Sequence, residues 1–161
     1  MNGPILSIIT VNFNNNLGLL KTLESVSSQS FSSYEHIIID AGSTDGSRET
    51  IIQYEKENPH LSFWSSESDK GIYDGMNKGI DHAKGQYLYF LNSGDCLSQD
   101  ILAKIPFDGT EYLYGDTILF YKRKTKKRVY PDTLDLIYLS DNSLHHQSCF
   151  IHHTLFKDKR Y

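Results

Sequence analysis

Four short polar clusters hold the side chains of this sequence best suited to chemistry: Asn12 with Asn14, Asp40, Glu67 with Asp69, and Asn92 with Ser93 and Asp95. Each comes after a run of β-branched or aromatic residues and is rich in the Asn, Ser, Gly and Asp that end regular structure. Read singly, any of them is a turn whose carboxylate caps the next element. Read together, they are a recurring device. Carboxylates and amides gathered from such turns offer oxygen ligands to a hard cation, Mn2+ or Mg2+, which commonly bridges a protein carboxylate to substrate phosphates. No GxxxxGK[ST] or GxGxxG loop is present to hold phosphate on backbone amides alone. An acidic cleft of this kind therefore points to a diphosphate that arrives with its metal, and Asp95, closing the stretch QYLYFLNSGD, is the first candidate ligand.

Periodicity supplies the strands and helices that would carry these clusters. Strands are predicted over residues 4–11, 34–39, 61–65 and 86–91. Between them, Leu19, Leu20, Leu23 and Val26 have helical spacing, with Asn15 or Asn16 as cap. A second helix passes through Ile51, Ile52 and Tyr54, capped by Asp45 or Ser43, and a third spans residues 70–84 and ends at Gly85. Gly71, Gly75 and Gly79, four residues apart, leave one face of that third helix bare, so another backbone or a ligand can come close. Strand and helix alternating in this way build right-handed crossovers and a mostly parallel, Rossmann-like sheet with helices on both faces. All four clusters then fall on its carboxyl edge, where open α/β folds hold their ligands. Beyond Asp95 the pattern is mixed: a short helix over residues 98–105, a strand over 111–121 interrupted at Gly115 and Asp116, a basic turn with a return at 128–130, and an apolar piece at 134–139.

Composition narrows the classes. The 161 residues suit one domain, divided here into an α/β half over residues 1–100 and a further portion over 101–161. A net charge of −4 gives no argument for nucleic acid, and Cys96 and Cys149 lack the spacing of a zinc site or disulfide framework. With no basic leader before an apolar stretch and no run of 18 apolar residues, a cytoplasmic protein is expected.

The segments SIITVNFN, IIIDAGSTDGS and SESDKGIYDGMNKGIDHAKGQYLYFLNSGD, in that order, resemble the nucleotide-sugar-binding half of the family-two inverting glycosyltransferases of bacterial polysaccharide biosynthesis, which have the GT-A fold. The resemblance is clear over residues 5–100 and looser as far as His146 and Gln147. It implies transfer of a sugar from a nucleotide diphosphate sugar, usually UDP-linked, to the hydroxyl of a saccharide or lipid-linked saccharide acceptor, with inversion. By resemblance Thr10, Asn12 and Phe13 line the base pocket, Asp40 reads the nucleobase, Asp69 and Ser93 help close the nucleotide site, and Asp95 is the last carboxylate of the metal motif. If Asp40 serves the base, its replacement by Ala should weaken nucleotide binding and leave folding little changed. Relatives often carry three acidic positions in the metal motif; Asn92, Ser93 and Gly94 stand before Asp95 here, so metal affinity rests on one carboxylate. Relatives also continue past Tyr161 into a segment supplying the general base. Residues 101–161 therefore read as a partial acceptor-side portion of the same domain, cut short, with Asp141 and His146 as substitute bases. The alternative is a truncated nucleotide-sugar-binding module without transferase activity. The run KRKTKKR has two readings, a peripheral contact with anionic lipid or an exposed hairpin tip.

Overall fold

The structure is a computed structural model that describes residues 3–122 and 124–161. The first half alternates as expected: β1 (Leu6–Asn12), α1 (Asn16–Ser27), β2 (Tyr34–Asp40), α2 (Ser47–Glu57), β3 (Leu61–Ser66), α3 (Ile72–His82) and β4 (Tyr87–Phe90). Every residue of β1, β2 and β4 is buried, which is why these strands do not alternate polar with apolar residues; the polar side chains inside β1 and β2 pair with one another, Ser7 with Glu35 and Thr10 with His36. After β4 come β5 (Tyr112–Tyr114), β6 (Thr117–Tyr121), β7 (Lys124–Arg128), α4 (Leu136–Asp141) and β8 (Cys149–His152).

The main sheet has the order β3-β2-β1-β4-β8-β5. Its first four strands are parallel, while β8 runs antiparallel to both β4 and β5. Residues 101–161 thus add two strands to the sheet begun by residues 1–100. Parity along the strands sorts the core. Ile38 packs with Leu19 and Leu23 of α1 and Ile51 of α2, whereas Ile9, Val11, Ile37 and Ile39 pack with Met76 and Ile80 of α3. Helices therefore cover both faces. The bare face of α3 lies against β1: a Cβ at Gly79 would strike the Ile9 side chain, and one at Gly75 would come within 2.9 Å of Val11 Cγ1. Those glycines serve backbone approach to the sheet.

Several local expectations are corrected. Residues 98–105 form only one 3-10 turn, Leu102–Lys104. Pro106 follows Ile105 and holds it extended, which stops a longer helix. Helix α2 starts from Gly46 at φ 93° without a side-chain cap, and Asp45 instead accepts from the Ser47 amide and hydroxyl. Helix α3 ends at an extended Ala83, and Gly85 is small because its Cα lies against the Ser7 backbone. Residues 124–128 of the basic run are a strand rather than a turn: β7 pairs with β6 as a separate two-stranded sheet.

Candidate functional site

The strand order reverses between β1 and β4, so the crevice at their carboxyl ends is the topological switch point of the sheet. Two polar knots flank it. The first is built on Asp40, the last residue of β2, which is completely buried. Its Oδ1 accepts from Asn12 Nδ2 at 2.7 Å and Ser43 Oγ at 2.5 Å, and its Oδ2 from the Ser43 amide at 2.9 Å and Ser66 Oγ at 2.6 Å. An ionised carboxylate has about four acceptor sites, and here the protein fills them all. Burial raises the Asp40 carboxyl pKa, but these donors more than offset it and leave the group below its ordinary value. The knot ties the ends of β1, β2 and β3 to the loop before α2. This burial revises the expectation that replacing Asp40 would leave folding little changed.

The second knot is the turn after β4. The Ser93 amide bonds to the Val11 carbonyl at 3.0 Å, and Asn15 Nδ2 donates to the Ser93 carbonyl at 2.9 Å. Gly94, at φ 101°, donates its amide to Thr22 Oγ1, whose own hydroxyl donates to the Asp95 carbonyl at 2.8 Å. This fixes the backbone and leaves the Asp95 side chain projecting, half-buried. The segment before β8 closes over it. Gln147 Nε2 donates to Asp95 Oδ2 at 3.0 Å, and Asn92 Nδ2 donates to His146 Nε2 at 3.1 Å. Burial lowers the His146 pKa, opposed by the Asp95 charge and aided by His145, so the ring is neutral at pH 7.

The structure thus brings Asn12 together with Asp40, and Asp95 together with Asn92, His146 and Gln147. Ser93 sits in the second knot. Asp69 lies before α3, where its Oδ1 accepts from the Gly71 amide at 2.8 Å. Phe13 is 63% exposed at the rim. Thr10 is buried below the edge, its hydroxyl 2.9 Å from His36 Nε2. Asp141 is exposed at the end of α4, with a bond only to the neighbouring Ser140 among the described residues.

Among the described residues no three His, Cys, Asp or Glu side chains form a closed metal cluster. Gln147 takes one oxygen of Asp95 and no bond from the described residues takes Oδ1. A single open carboxylate fits Mn2+ or Mg2+ held jointly with water and substrate phosphates, not a cation caged by protein alone. A cavity of about 310 Å3 opens farther out, lined by Tyr112, Tyr114, Asp116, Tyr130 and Asp132 among others. Its wall adjoins the second knot through the Gly115 amide, which donates to the Ser148 carbonyl at 2.9 Å.

Sequence reasoning did not single out Thr22, and gave Ser43 only as a helix cap. Thr22 was detectable as a polar residue on the face of α1 that also carries Leu19, Leu23 and Val26. Ser43 lies in a turn-rich cluster, AGSTDGS, whose composition does not distinguish it from its neighbours.

Residues 7–152 match the family model described as glycosyl transferase family 2. An uncharacterized glycosyltransferase of Mycobacterium tuberculosis is 42% identical over 103 residues, covering 63% of this chain and 38% of its own length. TuaG of Bacillus subtilis, a glycosyltransferase named for teichuronic acid biosynthesis, is 37% identical over 101 residues, with coverages of 63% and 40%. The chain thus spans less than half the length of these relatives. Among solved structures, residues 1–349 of S. aureus TarS align with a TM-score of 0.70 at 19% identity, covering 95% of this chain and 48% of that one. A Pyrobaculum calidifontis mannosyltransferase in complex with GDP-Man and Mn2+ aligns with a TM-score of 0.56 at 19% identity, covering 61% and 30%. The fold is that of the GT-A structures it resembles.

Proposed function

The chain belongs to glycosyl transferase family 2, and on that basis we propose that it transfers a sugar from a nucleotide diphosphate sugar, UDP-linked, to an acceptor hydroxyl with inversion at the anomeric carbon. The observation that carries the reading is the pair of knots at the switch point: a base-side wall built on Asp40 and, across the crevice, an Asp95 carboxylate with one oxygen open. TarS, whose fold it shares, has been solved with UDP and with UDP-GlcNAc, which favours a uridine donor.

The residues divide the work. Asn12 and the Asp40 knot shape the floor beneath the base, with Phe13 at the rim as an exposed aromatic edge. Asp69 and Ser93 border the diphosphate. Asp95 would hold Mn2+ or Mg2+, which supplies charge neutralisation for the diphosphate as it leaves. Gln147 holds the Asp95 carboxylate in one orientation, so that geometry is set before substrate arrives. The tyrosine-lined cavity beside Ser148 is a suitable bed for the acceptor, a saccharide or lipid-linked saccharide, because aromatic faces and carboxylates recognise sugar rings and hydroxyls. We place the reaction on the cytoplasmic side of the cell.

One observation favours the second reading, a donor-binding module that does not transfer. A general base must come within about 3 Å of the acceptor oxygen. The Nε2 lone pair of His146 is engaged by Asn92, and among the described residues Asp141 is bonded only within its own helix end. The test pairs two measurements: UDP-dependent thermal stabilisation with Mn2+ or Mg2+ and with chelator, and sugar transfer from UDP-sugars to saccharide and lipid-linked acceptors. Stabilisation that needs metal, together with turnover, supports the transferase. Metal-dependent binding with no turnover supports the module, and no uridine binding overturns both.

A further inference from the structure

The hairpin of β6 and β7 stands apart from the main sheet and is held to the body at its base. Lys127 Nζ pairs with Asp116 at 2.8 Å, Arg128 Nη2 bonds to Asn142 Oδ1 at 3.1 Å, and the Tyr130 amide bonds to Asp116. Residues directly opposite in an antiparallel pair share a face. Thr117 with Arg128 and Leu119 with Lys126 therefore lie on one face, and Thr117, Leu119 and Arg128 are partly covered. Ile118 with Lys127 and Phe120 with Thr125 lie on the other. That outer face is uncovered: Ile118 is 51% and Phe120 81% exposed.

A two-stranded ribbon with an apolar outer face has little stability in water by itself. Its charge says what would cover it. No acidic residue occurs from Thr117 to Pro131, and six of the chain's 16 basic residues fall within seven positions of this hairpin. The rest of the molecule is acidic, for a total of −4. We propose that the β6–β7 hairpin docks on an anionic lipid bilayer, with Phe120 and Ile118 of its outer face entering the headgroup boundary, and with the exposed Lys122 at the turn and Lys124 and Lys126 on the ribbon's other face drawing it there by their charge. Clustered positive charge acts on an anionic surface over about a Debye length, so these lysines contribute although they do not share the face of Phe120 and Ile118. Bilayer fits better than nucleic acid because the apolar residues project from the exposed face, and the acidic remainder turns the hairpin alone toward the surface. The inference does not depend on the transferase reading, since neither knot at the switch point takes part.

The experiment is co-sedimentation of the 161-residue chain with phosphatidylcholine vesicles, with and without phosphatidylglycerol, at low and high salt. Binding is expected only with phosphatidylglycerol and should fade as salt screens the charges. Partition should fall about fivefold for each positive charge lost, so Lys122→Glu/Lys124→Glu/Lys126→Glu should lose about a hundredfold or more. Phe120→Ser should lose about tenfold. In Phe120→Trp, emission should shift to the blue with anionic vesicles, after subtraction of the native chain with its single Trp64. That variant keeps every lysine, so it reports even if the charge reversals disturb the hairpin. Absence of binding, equal binding to pure phosphatidylcholine, no blue shift, or binding to RNA but not to vesicles would each overturn the proposal.

Discussion

Replacing Asp40 by alanine tests whether the carboxylate is an internal fastener. Its four donors are not equivalent: the hydroxyls of Ser43 and Ser66 can rotate toward other partners, but the Ser43 amide and Asn12 Nδ2 are fixed by β1, β2 and the loop. A buried donor left without an acceptor costs about 1–3 kcal/mol. Two such donors give about 2–6 kcal/mol, and relief of the buried charge removes part of that, leaving an expected loss of about 2–4 kcal/mol. At about 2–4 °C per kcal/mol for a domain of this size, the melting temperature should drop by about 4–16 °C. Asp40→Asn keeps an acceptor for the Ser43 amide and should lose less. The pH dependence has a definite sign. Because the folded pKa is depressed, Asp40 contributes stability above the ordinary carboxylate value, and that contribution is lost as pH falls through the folded pKa. The gap between wild type and Asp40→Ala should therefore narrow in acid. Calorimetric melts of both proteins at neutral and acid pH, without ligand, provide the check. If Asp40→Ala melts within a degree or two of wild type at neutral pH, the internal knot is not what holds these strand ends, and the carboxylate is left for the nucleobase.

Other perturbations give separate readouts. Gly79→Ala should gain about 1 kcal/mol in helix propensity but lose about 1–3 kcal/mol by driving a Cβ into the packed Ile9 side chain, so urea unfolding should show net destabilisation. Gln147→Ala should leave melting nearly unchanged while lowering affinity for Mn2+ with UDP by about tenfold, as expected for a residue that orients a metal-binding carboxylate; an equal loss in chelator would mean that Gln147 touches the nucleotide instead. His36 is buried among Thr10 and Tyr54, and burial lowers its pKa from 6.5 to about 3. The unfolded chain therefore binds the extra proton first, and stability should decline as pH falls from 6.5 toward 3; His36→Gln should show a flatter acid limb in denaturant titrations.

The first half of the fold and the position of its candidate functional edge were legible in the amino-acid order alone. In β1, β2 and β4 every residue is buried, so each strand is rich in apolar residues and is ended by a polar turn, and both signals are local. The placing of Asn12, Asp40 and Asp95 at strand ends came from those signals. Their bonding partners were set by tertiary structure. Asp40 takes its donors from positions 12, 43 and 66, and Asp95 meets Gln147 from across 52 residues; no periodicity records such pairings, because they depend on which strands become neighbours. The bare face of α3 illustrates the same division. Its glycine spacing announced a close approach, but only packing showed that Ile9 and Val11 of β1 fill it. The basic run gave charge without geometry, since a one-residue change of register would exchange the two faces of the hairpin. Pairing of Ile118 with Lys127 and Phe120 with Thr125 is what gathers the apolar side chains on one face and leaves Lys124 and Lys126 on the other.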